Sequence, residues 1–115
     1  MKASAALAEL VGLSTQIVEV VVTTPDGAIE AAHAAGEERA RALAAAGTEL
    51  LAAAATIRPS SQEVERVHVD LGRGSVVACT DGERSIVATT IAEPTAGLVA
   101  YDLRTALRRL RGEAA

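Results

Sequence analysis

The chain has 115 residues, room for one domain and one small core. Half of the residues are hydrophobic, yet there is no Phe, no Trp and one Tyr, so the core must be built from Ala, Val, Leu and Ile, with few large anchors for a partner. A formal net charge of −4 argues against a nucleic-acid footprint, and a single cysteine excludes an internal disulfide and a cysteine-rich zinc site.

Residues 3 to 13 read as a short helix, with Leu7, Leu10 and Val11 at helical spacing and Glu9 on the polar side. Nothing at this end has the pattern of a secretory signal. No stretch approaches the roughly 18 uninterrupted apolar residues of a membrane helix. The expectation is a soluble, cytoplasmic protein with no transmembrane segment, and the Ala- and Arg-rich usage suggests a bacterium with a GC-rich genome. From Gln16 to Thr23 the run Ile17-Val18-Glu19-Val20-Val21-Val22 is β-branched and nearly continuous, which predicts a strand covered on both faces. Pro25-Asp26-Gly27 is a turn signal, and Ala28 to Ala34 is expected to return as the second strand of a hairpin.

Glu37 to Ile57 is dense in strong helix formers, with Glu37 and Glu38 at the end where negative charge is favoured. Arg58-Pro59 ends it, because the residue before proline avoids helical geometry, and Ser60-Ser61-Gln62 forms a polar loop. Three strand-like runs follow: Val64 to Leu71, Ser75 to Thr80 and Ser85 to Ile91, joined by Gly72-Arg73-Gly74 and Asp81-Gly82-Glu83-Arg84. Glu93-Pro94-Thr95 stops the sheet. Thr95 is the expected N-cap of a last helix whose apolar stripe is Leu98, Val99, Leu103, Ala106, Leu107 and Leu110. The element order is α-β-β-α-β-β-β-α. It predicts a single domain over 1–115 of the α/β (α+β) class, with a five-stranded, mostly antiparallel sheet. Helices are needed on both faces because the first strand is apolar on both.

Within the long helix Leu43, Leu50 and Ile57 recur every seven residues, with Ala46, Gly47, Ala53 and Ala54 between them; this stripe is expected to cover the sheet. A neighbouring stripe, Ala40, Ala44, Gly47, Leu51 and Ala55, is also non-polar, and Arg41, Thr48, Glu49 and Thr56 hold only a narrow polar strip. A helix packed on one sheet should be polar over most of its far side. Gly47 costs about 1 kcal/mol relative to Ala, which close approach of another backbone would offset. One reading is that the second stripe packs against a copy of itself in a two-fold dimer, with Arg41, Thr48 and Glu49 available to a further partner. The other is that alanine is tolerated on an exposed face and Gly47 is incidental.

Val64 to Leu71 alternates Val64, Arg66, His68 and Asp70 against Glu65, Val67, Val69 and Leu71, and the second set, apart from Glu65, is expected to be buried. Its charges suggest an edge strand. Val67, His68 and Val69 would then either pair with the same strand of a twin or be a protected edge. Catalytic chemistry is poorly supplied. Cys79 lies in an apolar run and reads as a buried structural thiol. His33 and His68 stand far apart without a carboxylate-rich motif, so no metal is expected. Gly72-Arg73-Gly74 lacks the ending of a phosphate loop and joins strand to strand. The arginines at 104, 108, 109 and 111 suit the negative end of a helix dipole, or form a patch for a partner.

Three segments together resemble the roadblock / dynein light-chain domain over nearly the whole length. They are Val20-Val21-Val22-Thr23-Thr24-Pro25-Asp26-Gly27, the Ala-rich helix from Glu37 to Ile57, and Ala96-Gly97-Leu98-Val99-Ala100-Tyr101-Asp102-Leu103-Arg104, similar to the "Gly-Leu … Leu-Arg" opening of the family's last helix. The first helix is shorter and the second strand less strand-like than in the family pattern. The resemblance implies a homodimer through the long helix and the third strand, with one sheet across both subunits. It further implies a non-enzymatic regulator or scaffold for a Ras-like small GTPase, without cofactor or catalytic residue of its own. An arginine offered in trans, such as Arg39 or Arg41, is the conceivable exception. The alternatives are a structural adaptor without a GTPase partner, or a small-molecule-binding or hydrolytic enzyme using Cys79.

Overall fold

A computed structural model describes residues 2–57 and 65–112. Its elements follow the expected order: α1 (Ala3–Leu13), β1 (Ile17–Thr23), β2 (Ile29–His33), α2 (Glu37–Ile57), β3 (Arg66–Asp70), β4 (Ser75–Thr80), β5 (Ser85–Thr90) and α3 (Ala96–Leu110). The strands form one sheet in the order β2-β1-β5-β4-β3, and every neighbouring pair is antiparallel. The weak second strand is real. Its pairing with β1 runs from Val20 opposite His33 to Thr23 opposite Ile29, with an irregularity after Val22. The turn before it has Gly27 at φ 88°, where only glycine is at ease, and the Asp26 carboxylate accepts from the Ala28 N–H.

This order explains why α2 is long. β2 and β3 are the two edges of the sheet, so the segment between them must cross all five strands. Four inter-strand spacings amount to about 19 Å. A helix of 21 residues reaches about 31 Å, enough to cross obliquely. α2 accordingly touches every strand.

The two sheet faces carry separate cores. On one, α1 and α3 bury Leu7, Leu10, Leu103 and Leu107 against Val20, Val22, Val77 and Ile86. On the other, α2 places Ala40, Leu43 and Ala44 on Val21, Ala78 and Val87. Val20, Val21 and Val22 are therefore buried in succession, as expected for a central strand covered on both sides.

Several expectations are corrected. Leu98 is 49% exposed, and Ala100 takes its place in the buried stripe of α3. Thr95 does occupy the position before α3, but its hydroxyl caps nothing; its backbone N–H donates to the Gln16 side chain instead. Ile57, expected to cover the sheet, is 76% exposed. The expected helix stop at Arg58-Pro59, the loop Ser60-Ser61-Gln62 and Val64 lie outside the described residues.

Candidate functional site

β3 closes one edge of the sheet, and its backbone hydrogen bonds fix which way each residue faces. The Thr80 N–H donates to the Glu65 carbonyl at 3.0 Å, and the Leu71 N–H donates to the Gly74 carbonyl at 2.8 Å. With Val67 opposite Ala78 and Val69 opposite Val76, the odd-numbered residues are the ones bonded to β4. The N–H and C=O groups of Arg66, His68 and Asp70 therefore point off the edge. Among the described residues no strand lies beyond them. The side chains divide as the sequence alternation predicts, but the burial is incomplete. Val67 and Val69 are half-buried on the α2 face, Leu71 is 64% exposed, and Arg66, His68 and Asp70 are exposed on the opposite face.

α2 is turned differently from the expectation. Ala40, Ala44 and Gly47, assigned from sequence to a second copy, are buried against this chain's own sheet, and Leu51 is half-buried on the same side. A Cβ on Gly47 would sit 2.1 Å from Val87 Cγ2. The close approach that offsets the glycine is thus made to the sheet, not to another helix. Of the predicted stripe only Ala55 is exposed, and with Arg41, Ala45, Thr48, Glu49 and Ala52 it forms the outward face. That face is unusually apolar for solvent. α2 is also long and apolar enough by composition to match a membrane span, although here one stripe of it lies on the sheet. The stripe was misassigned because alanine occupies nearly every position, so the 3.6-residue period gives almost no amphipathic signal.

Both arginines of α2 are engaged within the chain. Arg39 donates two hydrogen bonds to Glu19, at 3.1 and 2.8 Å, and the Thr89 hydroxyl donates to the same carboxylate. The Arg39 hydrogen bonds, with help from Thr89, hold the Glu19 carboxyl below the usual range despite its partial burial. Arg41 pairs with Glu37 one turn earlier. Cys79 is buried, and burial pushes its thiol up to about 11, so it rests as the unreactive thiol. His33 and His68 stand on opposite edge strands and do not come together. No three His, Cys, Asp or Glu side chains converge on a possible metal position among the described residues. On the far face, Leu13 and Tyr101 line a shallow cleft between α1 and α3, beside the Glu9–Arg109 ion pair at 2.8 Å. The sequence reading did not anticipate this cleft, since it needs the two helices side by side.

One long helix covers one face of the five-stranded antiparallel sheet, two helices cover the other, and the β3 edge lies beside the long helix. Solved structures place this architecture more closely. The Roadblock/LC7 domain from Streptomyces avermitilis superposes with a TM-score of 0.81 at 18% identity, over 93% of this chain and 92% of that one. MglB from Myxococcus xanthus gives 0.78 at 15% identity, over 99% and 90%. MglB in a tetrameric arrangement gives 0.65 at 17% identity, over 98% and 90%. No protein-family model and no curated protein matches the chain. The fold is that of the Roadblock/LC7 domain.

Proposed function

We propose that the chain is a non-enzymatic, cytoplasmic, dimeric regulator or scaffold that binds a Ras-like small GTPase. The observation that carries the reading is the β3 edge. Among the described residues, three present unpaired backbone groups there, next to half-buried Val67 and Val69 and to a helix whose outward face is half alanine. Unprotected edges invite pairing, and the small side chains of α2 allow a second helix to approach closely. The Roadblock/LC7 fold supports the same reading. If GTP hydrolysis is stimulated, Arg39 is poorly placed to take part, because Glu19 holds its guanidinium. Arg41, whose pair with Glu37 is solvent-exposed on both sides and so weakly held, or repositioning of the GTPase's own groups, is the available route.

The dimer is tested by light scattering on wild type and His68→Pro. Proline at 68 removes an N–H that points off the edge and breaks no bond to β4, so the fold should survive. The expected result is a dimer for wild type and a monomer of 11.7 kDa for the variant. The partner is tested by binding to each Ras-like GTPase of the source genome, loaded with GDP or a non-hydrolysable GTP analogue, with turnover followed in parallel. A folded dimer that binds none of them refutes the GTPase half and leaves an adaptor.

A further inference from the structure

Of the four arginines near the C-terminus, one goes to one side of α3 and three to the other. Arg109 turns to α1, where it pairs with Glu9 at 2.8 Å. Arg104, Arg108 and Arg111 are exposed, and their spacing of four and then three residues keeps them on one face of α3 and its C-cap. Together with Glu65 and Asp81 they line a cleft of about 240 Å³ between α3 and the end of β4. We propose that this cleft binds a short acidic segment of a partner protein, whose carboxylate or phosphate groups lie along the three arginines. The proposal is independent of the dimer and of the GTPase.

The helix dipole does not account for the row. It favours cations only in the last turn, and Arg104 stands more than a turn before Leu110, where the helix ends. Local carboxylates do not neutralise the row either. Arg104 meets Glu65 at 3.5 Å in a pair whose side chains are 48% and 73% exposed, which contributes little in water. Asp81 lies 3.9 Å from Arg111. Arg108 donates to the Thr105 hydroxyl at 3.1 Å and has no carboxylate partner among the described residues. Arg66 is exposed opposite Cys79, whose side chain is buried under α3, so it adds a fourth cation on the same face of the sheet. Four arginines against Glu65 and Asp81 leave a local excess of positive charge in a chain whose net charge is −4.

Size and surroundings choose among anionic partners. From Arg104 to Arg111 the helix rises about 10 Å, the length of about three extended residues, so the row matches a short segment. Glu65 and Asp81 at the cleft and the negative net charge oppose a long nucleic acid. A lipid surface is gripped by apolar side chains set beside the cations. Here the exposed apolar residues of α3, Leu98 and Tyr101, lie toward its other end, and Leu107 beside the arginines is buried. The guanidinium fork holds carboxylate or phosphate oxygens two at a time, which suits acidic side chains presented singly along a peptide.

Fluorescence anisotropy on the full chain tests the cleft with three labelled peptides: one rich in glutamate, one carrying phosphoserine, and one with glutamine in place of every acid. The first two are expected to bind with Kd below about 1 mM in low salt, and the third is not. The tighter of the two acidic peptides tells carboxylate from phosphate. Arg104→Gln combined with Arg108→Gln should weaken binding about tenfold or more. Arg108→Gln alone removes no ion pair within the chain and should still weaken it about threefold. Arg109→Gln removes the same charge from the other side of the helix and should change it by less than about twofold. Far-UV circular dichroism confirms that each variant is folded. Equal losses from Arg108→Gln and Arg109→Gln overturn the site and leave only a diffuse field. Failure of both acidic peptides to bind overturns it as well. Vesicles containing about one-third anionic lipid supply the other arm. Sedimentation with them in the absence of peptide binding overturns the peptide in favour of a membrane.

Discussion

Gly47→Ala distinguishes a helix glycine that faces the sheet from one that faces solvent or a partner. In an exposed helix this change stabilises by about 1 kcal/mol. Here the new methyl would lie 2.1 Å from Val87 Cγ2 and 3.1 Å from both Cβ and Cγ1. Unstrained carbon contacts lie near 3.5–4.0 Å, so the overlap is about 1.5 Å. Rotating Val87 can turn its Cβ–H toward the new methyl, but it leaves Cβ itself at 3.1 Å and pushes a methyl into a packed neighbourhood. Val87 is 1% exposed in the centre of the sheet, so the strain must be met by lifting α2. Overpacking of this kind costs about 1–3 kcal/mol. After the helix-propensity gain of about 1 kcal/mol, the net loss is about 0–2 kcal/mol, and its upper end is a large fraction of a small domain's stability. Val87→Ala alone removes two methyls and costs about 2 kcal/mol. The double variant should cost less than the sum of the two by about 1–2 kcal/mol, because Val87→Ala removes the clashing atoms. Urea titration followed by far-UV circular dichroism measures each value at fixed protein concentration; the chain has no Trp to report by fluorescence. If Gly47→Ala stabilises, and does so additively with Val87→Ala, Gly47 does not face the sheet and the placement of α2 is wrong.

Gly74→Ala should be more damaging still, by about 2 kcal/mol or more, because its Cβ would meet the Thr90 carbonyl oxygen at 2.4 Å and backbone cannot step aside; thermal melts comparing it with Gly72→Asn, at a solvent-facing turn, check this. Glu19→Gln should flatten the acid limb of the stability curve. The folded carboxyl is held low, so its contribution is full above the unfolded value of about 4.3 and is lost as pH falls through the folded value. Denaturation series from pH 6 down to about 3 read the difference, and identical limbs for both proteins would refute the Arg39–Glu19 argument. Cys79 should react with iodoacetamide at pH 7.5 far more slowly in the native protein than in urea, given burial and a thiol near 11; equal rates would reopen the case for a reactive cysteine.

Local chemistry was enough to place the elements. The β-branched run at Ile17–Thr23, the Asp-Gly turn after it and the helix formers of Glu37–Ile57 each act over a few residues, and their boundaries follow from them. The need for helices on both faces also followed locally, from consecutive apolar residues in β1. The misjudged residues are those whose role depends on a neighbour remote in sequence. Leu98 and Ala100 both fit an apolar stripe of α3, and only the position of the sheet decides that Ala100 is buried.

The same division holds for the functional surface. The sequence by itself determined the composition of the β3 edge, with its alternating charges and valines. Only the tertiary structure decided that β3 lies at the margin opposite β2, and that Arg66, His68 and Asp70 turn their backbone groups outward. It alone decided which stripe of α2 is free. Alanine is nearly as compatible with a buried face as with an exposed one, so the helix's rotation is set by whichever position fits over Val87, and Gly47 is the residue that does.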